Sequence, residues 1–280
     1  MVPGLSLVDG QPSDAVGLGE RGLQFGDGLF ETLPIVNGRP CHWAAHMRRL
    51  ERGCDQLRLP RPNVRLLLDD ARTLVGSRTD GVLKIYWTAG DSRRGYARPQ
   101  PVSPRRILQI FDRSISPADR MWRVTWCLHR MGESRELAGI KHLNRFDQVI
   151  ARDELRDTPC DEGLLRGQDD RVISGSMTNL FVQLGDRLLT PKLDRSGIRG
   201  VVRDLVLQCG LETGSPVVES TVSSQDLLDA DAVYLSNSLV GIVDVGSIDQ
   251  KRFDMPVPAH GAIDRARGLV HRPDRRWDTE

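Results

Sequence analysis

Short runs of alternating apolar and polar residues dominate the first third of the chain, and two longer stretches among them carry an apolar residue at every third or fourth position. Alternation is typical of a strand with one buried face, and the longer period is typical of an amphipathic helix. The pattern predicts strands at Leu29–Val36, Val82–Thr88 and Arg106–Phe111 and helices at His42–Leu57 and Val64–Val75. Strands interleaved with helices indicate a mixed α/β domain.

The remainder of the chain continues this mixture. In chain order we predict Arg123–Leu128 (strand), Phe146–Leu155 (helix), Glu162–Arg166 and Arg171–Ile173 (strand pair), Asn179–Leu184 and Arg187–Thr190 (hairpin), Arg199–Cys209 (helix), and Asp231–Leu235 and Ile242–Val245 (strands). A polar segment around Pro117 is typical of an interdomain connection. We therefore divide the chain into a smaller N-terminal α/β domain (1–112), a linker (113–120) and a larger C-terminal domain (121–280). The charged stretch His271–Glu280 is expected to be frayed.

Composition narrows the class of protein. Of the 280 residues 39% are hydrophobic, as in a folded protein large enough for one large or two small domains. The 39 basic and 38 acidic side chains give a net charge of +1, so no strong field favours nucleic acid or an anionic membrane as a partner. No run approaches the roughly 18 uninterrupted apolar residues of a membrane span. The N-terminus lacks the pattern of a secretion signal.

The cysteines, histidines and glycines argue against disulfides, a metal site and a nucleotide site. The five cysteines are odd in number and none forms a C-x-x-C pair, so we expect reduced thiols in a cytoplasmic protein. His42 and His46 are four positions apart, but no glutamate lies between them as in H-E-x-x-H, so no metal site is predicted. The chain also lacks the glycine fingerprints of dinucleotide and nucleoside triphosphate sites.

Lysine is scarce, and any chemistry that requires an amine has four candidates, Lys84, Lys141, Lys192 and Lys251. Lys192 and Lys251 lie in polar, turn-like contexts, and a strand residue that faces solvent explains Lys84. Lys141 differs because an apolar, glycine-containing approach (Leu137–Ile140) delivers it next to a polar cluster (His142–Arg145). On composition alone, a surface lysine at the end of a strand would still be the better interpretation.

The string Ala138–Arg145 (AGIKHLNR) resembles the lysine segment of the fold-type IV pyridoxal-phosphate (PLP) enzymes, and among them that of the aminodeoxychorismate lyases. The resemblance implies that Lys141 forms a Schiff base with PLP and acts as the catalytic base. Two further segments follow the family's order: Gln24–Thr32 resembles its first-strand signature, and His46–Leu50 resembles its H-x-x-R-L helix. By this resemblance Arg49 contacts the cofactor phosphate, a role suited to a planar, permanently charged guanidinium.

The same resemblance implies the remaining site residues. Gly197–Arg203 is similar to the family's glycine-containing turn into a helix, which assigns the backbone N–H groups of Val201 and Val202 to the phosphate. Asn237 and Ser238 match a second loop near the cofactor. Arg94 and Tyr96, in a segment similar to the family's R-G-Y loop, and Asn179 are the expected substrate contacts.

One departure from the family pattern concerns Ser174. The family places a glutamate there, which pairs with the protonated pyridine nitrogen of PLP, whereas a hydroxyl can only form a hydrogen bond to that nitrogen. We hypothesise that Ser174 leaves the nitrogen largely unprotonated. This disfavours transamination more than a lyase reaction whose product is aromatic.

Taken together, the resemblance implies a two-domain α/β (α+β) fold with the cofactor between the domains, and a homodimer. The implied reaction converts 4-amino-4-deoxychorismate to 4-aminobenzoate and pyruvate, a step toward folate. A branched-chain or D-amino acid aminotransferase is the alternative within the same fold. A non-catalytic binding protein that kept the scaffold is the alternative from another class.

Overall fold

The computed structural model describes residues 6–113, 120–253, 258–274 and 277. The chain divides into two compact units: unit 1 comprises Met1–Ser114, Ile140–Asn144 and His271–Glu280, and unit 2 comprises Ile115–Gly139 and Arg145–Val270. Apart from its two end residues, the predicted linker 113–120 lies outside the described residues, and the predicted domain boundaries stay a prediction. Two short segments from the C-terminal half of the chain join unit 1.

Unit 1 contains six strands and three helices among its described residues. They are β1 (Ser6–Val8), β2 (Gln11–Pro12), α1 (Arg21–Phe25), β3 (Gly28–Val36), β4 (Arg39–Pro40), α2 (Trp43–Leu57), α3 (Val64–Val75), β5 (Asp80–Thr88) and β6 (Arg105–Phe111). The strands form one antiparallel sheet in the order β2-β1-β6-β5-β3-β4.

Burial alternates along the central strand β5. Leu83 and Ile85 are fully buried, whereas Lys84 and Tyr86 between and after them are half-buried. Because successive side chains of a strand point to opposite faces, Lys84 and Tyr86 share the face away from the core. Helices α2 and α3 pack against β3 and β6.

The helices of unit 1 agree closely with the sequence pattern. Helix α3 has the predicted bounds, and α2 begins at Trp43, one residue later than predicted, because His42 adopts a left-handed conformation (φ 53°). The apolar stripe of α2 is buried at Trp43, Met47, Leu50 and Cys54.

Unit 2 contains nine strands and four helices among its described residues. They are β7 (Trp122–Arg130), α4 (Phe146–Glu154), β8 (Glu162–Arg166), β9 (Val172–Gly175), β10 (Asn179–Leu184), β11 (Arg187–Pro191), α5 (Val201–Glu212), β12 (Val217–Ser220), α6 (Ser224–Leu228), β13 (Ala232–Asn237), β14 (Gly241–Ile248), β15 (Lys251–Arg252) and α7 (Gly261–Arg267). The nine strands form a mixed sheet in the order β12-β11-β10-β13-β14-β7-β8-β9, with β15 paired to β14.

The middle strands of unit 2 are buried on both faces. Leu180 and Val233 belong to one apolar cluster, and their neighbours Phe181 and Tyr234 belong to another that includes residues of α5 and α7. Strands buried on both sides read as continuous apolar runs, as β10 and β13 do. The predicted mixed α/β fold is confirmed.

The C-terminal stretch does not fray where it is described. Asp274 accepts a hydrogen bond from the backbone N–H of Ala44 at 3.0 Å, and Trp277 packs edge-on against Trp43 with 5.9 Å between ring centroids. The prediction of a frayed tail is therefore wrong for these residues, because Trp277 (7% exposed) covers apolar surface of unit 1.

Candidate active site

The lysine segment, Ile140–Asn144, runs along β3 as an irregular extra strand of unit 1. The N–H of Phe30 donates to the carbonyl of Lys141 and the N–H of Leu143 donates to the carbonyl of Gly28, each at 3.0 Å. Gly28 is required at this crossing, since a Cβ there would lie 2.7 Å from the carbonyl oxygen of Trp87 and 3.0 Å from Leu143. The backbone of Lys141 is thus held against β3 by two hydrogen bonds.

The amine of Lys141 lies against an aromatic ring. Its Nζ is 4.2 Å from the ring centroid of Phe30, and the Nζ of Lys84 is 5.4 Å from the same centroid and 4.9 Å from that of Tyr86. Phe30 and Tyr86 are directly paired across β3 and β5. The expectation that Lys84 simply faces solvent is wrong, because its half-buried amine lies over two rings on the face that carries Lys141.

On the opposite face of β3, Glu31 holds Arg49 and His46 of α2. Arg49 donates from Nε to Oε1 at 2.8 Å and from Nη2 to Oε2 at 2.5 Å, and His46 Nδ1 lies 2.6 Å from Oε2. Their exposures are 1% for Glu31, 6% for Arg49 and 1% for His46. The guanidinium is therefore locked in one orientation, and its predicted contact with a cofactor phosphate stays a prediction.

Burial and charge act against each other in this cluster. Burial alone would raise the pKa of Glu31, but the adjacent Arg49 and His46 outweigh it and lower the pKa to about 2. Burial lowers the pKa of His46, although Glu31 opposes the shift. The carboxylate stays ionised at neutral pH, and the imidazole is held toward its neutral form.

In unit 2, the turn before α5 provides backbone N–H groups. Helix α5 begins at Val201 after Gly200, and no side chain caps it, so the first N–H groups of a twelve-residue helix point out of its end. The amide of Asn179 donates to the carbonyl of Ile198 at 2.8 Å, and a Cβ on Gly200 would lie 2.1 Å from the Asn179 side-chain oxygen. Only a glycine at position 200 lets the Asn179 side chain lie this close to the turn, and the hydrogen bond to Ile198 holds the turn in place.

A second loop follows β13. The side-chain oxygen of Asn237 accepts from the N–H groups of Leu239 and Val240 at 2.8 and 2.9 Å, and its amide donates to the carbonyl of Met177 at 3.3 Å. Asn237 and Ser238 are half-buried. The side chain of Asn237 thus fixes the turn that contains Ser238.

Ser174 lies near the end of β9 and is 7% exposed. Its hydroxyl donates to the carbonyl of Gly175 at 2.8 Å, which leaves the oxygen lone pairs as acceptors. The role of Ser174 toward a pyridine nitrogen stays a prediction.

Glu162, which the sequence analysis did not single out, organises the turn beside Ser174. Its fully buried carboxylate accepts from the N–H groups of Gly163, Ser176 and Met177 at 2.9, 3.1 and 3.2 Å and from the hydroxyls of Ser176 and Thr178. With these donors engaged, Glu162 is a structural anchor for the β9–β10 turn. A glutamate that opens an apolar strand (Glu162–Arg166) was the signal for it in the sequence.

The predicted substrate loop of unit 1 is exposed. Arg94 lies on the surface and the Tyr96 side chain is 86% exposed, while Arg21 beneath the loop donates to the carbonyls of Gly95 and Tyr96 at 3.3 and 2.7 Å. The backbone of the loop is therefore anchored, and its side chains are available for contact. Substrate binding by Arg94 and Tyr96 stays a prediction.

The described residues contain neither a candidate metal site nor a candidate membrane span. Within it, no group of three or more His, Cys, Asp or Glu side chains is arranged to hold a metal ion. Within the same residues, no helix has the length and apolar character needed to cross a membrane.

Comparison with known proteins gives consistent matches over most of the chain. The Amino-transferase class IV family matches residues 28–248. An aminodeoxychorismate lyase from Vibrio harveyi is 33% identical over 255 residues, covering 89% of this chain and 94% of that protein. A D-alanine aminotransferase from Bacillus licheniformis is 24% identical, covering 87% of each protein.

Solved structures give the same order of similarity. The crystal structure of 4-amino-4-deoxychorismate lyase from Pseudomonas aeruginosa superposes with a TM-score of 0.87 at 37% identity, covering 95% of this chain and 96% of that one. The branched-chain amino acid aminotransferase from Escherichia coli has a TM-score of 0.83 at 20% identity, covering 98% and 97%, which shows a shared fold. The resemblance stated from the lysine segment is confirmed.

Proposed function

The chain belongs to the class IV aminotransferase family, and from that premise we propose that it is a PLP-dependent lyase that converts 4-amino-4-deoxychorismate to 4-aminobenzoate and pyruvate. The observation that carries the proposal is Lys141, held by β3 with its amine over the ring of Phe30. The similarity to lyases, at 33% and 37% identity, exceeds that to the aminotransferases described above.

The residues present suit the cofactor. The N-terminus of α5 supports a phosphate site, because no side chain caps it and its first N–H groups and the helix dipole both favour an anion. We propose that the N–H groups of Val201 and Val202, the turn at Asn237 and Ser238, and Arg49 hold that phosphate. When bound, PLP withdraws electrons from the carbon that carries the substrate's amino group.

Lys141 then has two tasks. It would hold the cofactor, and as a free amine its Nζ would remove the proton from the ring carbon that bears nitrogen. The ring becomes aromatic as the bond to the enolpyruvyl oxygen breaks, and the same amine returns the proton to the departing three-carbon group, which becomes pyruvate. The reaction needs no oxidant and no amino acceptor.

The first experiment replaces the amine. Lys141→Ala should lose the yellow absorbance of lysine-bound PLP and reduce pyruvate release by more than about 10³-fold, since positioned proton transfer alone contributes about 10²–10⁴-fold. Lys192→Ala, which removes an exposed lysine of unit 2, is the matched control and should change neither signal. Pyruvate release by Lys141→Ala at the parent rate would refute the proposal.

The aminotransferase alternative is separated by the same assay. A lyase releases pyruvate from aminodeoxychorismate without an amino acceptor, whereas a transaminase requires one. Ser174 supports the lyase, because a hydroxyl cannot keep the pyridine nitrogen protonated as strongly as a carboxylate does.

The assembly and compartment complete the proposal. A homodimer is what the family resemblance implies, and sedimentation equilibrium would test it. A cytoplasmic location is supported by five free cysteines, four of them buried.

A further inference from the structure

The sheet face that carries Lys141 presents a second amine. Lys84 and Tyr86 of β5 lie on this face beside Phe30, and Gln109 of β6 is paired directly with Lys84. Both amines lie over the ring of Phe30, so their separation cannot exceed the sum of their distances to its centroid, 4.2 and 5.4 Å. A benzene ring with substituents at opposite ends is shorter than this upper limit, so a ring of that kind is long enough to reach from one amine toward the other.

The charge of Lys84 is held without a carboxylate. Among the residues that the structure describes, Lys84 takes part in no ion pair, whereas Arg105 and Arg106 of the neighbouring strand β6 are paired with Asp91 and Asp70. The faces of two aromatic rings attract the ammonium but do not neutralise it. A half-buried cation without an ion-pair partner favours the binding of an anion.

The space around these side chains suits a small aromatic acid. A cavity of about 290 Å³ opens on the same face, lined among others by Tyr86, Thr88, Ile107, Gln109 and Leu143. Its lining also includes the acidic residues Asp14 and Glu20, of which Glu20 is paired with Arg105. Gln109, which is paired with Lys84, and Tyr86, whose ring centroid lies 4.9 Å from the Lys84 Nζ, belong to the wall of this cavity, so the cavity adjoins Lys84.

We propose that Lys84 binds the ring carboxylate of the substrate, the one that remains in 4-aminobenzoate, while the amino end of the ring lies at Lys141. The inference rests on the proposed function for the identity of the substrate. Lys84 would make the site specific for a substrate with a carboxylate, since a neutral analogue would leave the half-buried ammonium group without a partner.

The test compares two ligands of similar shape, one with a charged carboxylate and one with an uncharged carboxamide at the same position. 4-Aminobenzoate and the neutral 4-aminobenzamide are titrated by calorimetry into the PLP-loaded parent protein, Lys84→Gln, Lys84→Arg and Lys192→Gln. Lys84→Gln should weaken 4-aminobenzoate by about tenfold or more, the usual effect of a charge-assisted hydrogen bond, and leave the amide unchanged. Lys84→Arg should recover part of the affinity, and Lys192→Gln should match the parent.

Three outcomes would overturn the inference: equal loss of both ligands in Lys84→Gln, which indicates a purely structural role; unchanged binding of both; or no binding of 4-aminobenzoate to the parent protein at millimolar concentration.

In the lyase assay, Lys84→Gln should raise KM with a smaller effect on kcat. If the parent releases no pyruvate but the charge-selective loss is observed, the proposed reaction fails and the carboxylate site stands. If pyruvate is released and Lys84→Gln behaves as the parent, only Lys84 fails.

Discussion

Ser174 places a hydroxyl, already donating to the carbonyl of Gly175, where the family resemblance expects a carboxylate. With its one proton on the Gly175 carbonyl, the hydroxyl has none left to donate to an unprotonated ring nitrogen, so its removal should have a modest effect on a lyase. We expect Ser174→Ala to bind PLP and to keep pyruvate release within about tenfold of the parent rate. Stopped-flow assay and nitrogen-15 NMR of labelled PLP measure the two effects. Complete loss of PLP chemistry, or a fully protonated ring in the parent, would contradict the hypothesis.

Glu31 gives a pH dependence with a defined sign. Its pKa falls from the usual 4.5 to about 2 on folding, so its stabilising contribution is complete above pH 4.5 and is lost as the pH falls from 4.5 toward 2. The lowered pKa of His46 acts in the same direction, beginning nearer pH 6.5. We expect the free energy of unfolding to fall by about 3 kcal/mol from Glu31 over its window, as measured by urea unfolding at successive pH values.

Two variants check that assignment. Glu31→Gln should be less stable at neutral pH, because it leaves Arg49 buried without its carboxylate, and should flatten the dependence below pH 4.5. Asp55→Asn removes an exposed partner of Arg61 and should leave the profile of the parent nearly unchanged. A Glu31→Gln profile as steep as that of the parent would exclude Glu31 as the cause.

At the scale of elements, helix α2 is capped from far along the chain. Its N-cap residue, His42, has a left-handed backbone and no side-chain cap, and Asp274 supplies an acceptor to Ala44 instead. A carboxylate at this end also interacts favourably with the helix dipole. Because α2 carries His46 and Arg49, its first turn contributes to the placement of the proposed phosphate contact.

We expect Asp274→Ala to lower the free energy of unfolding by about 1 kcal/mol, the usual cost of losing a cap, and to weaken PLP binding. Urea unfolding and a PLP titration followed by absorbance measure the two effects. Asp274→Asn keeps an acceptor oxygen and should lie closer to the parent than Asp274→Ala does. Equal behaviour of the two variants would show that the hydrogen bond to Ala44 is unimportant.

Element length decides what the sequence reveals. Helices α2 and α3 and strands β3, β5 and β10 were predicted because each is long enough to show its period. Strands of two or three residues, such as β2 and β4, have no period to detect. Helix α6 was missed although Ser223 and Asp226 form a capping box, since five residues complete little more than one turn.

At the scale of the whole molecule, local pattern identified the important lysine but not its surroundings. The motif around Lys141 ranked it first, whereas the pairing of its segment with β3, more than 100 positions earlier in the chain, leaves no local trace. Lys84 was undervalued for the same reason, because alternation along β5 shows which face it shares but not that Phe30 and Lys141 lie there. Glu162 was missed because its hydrogen-bond donors come from a turn, and turns carry no periodicity.

The placement of Asp274 and Trp277 in unit 1 also constrains the order in which a newly made chain can fold. The first 114 residues leave the ribosome long before these two, by roughly ten seconds or more at about 5–20 residues per second. During that interval Trp43 lacks the ring that covers it and α2 lacks its cap. The N-terminal part of the nascent polypeptide therefore completes its native contacts last, although its synthesis begins first.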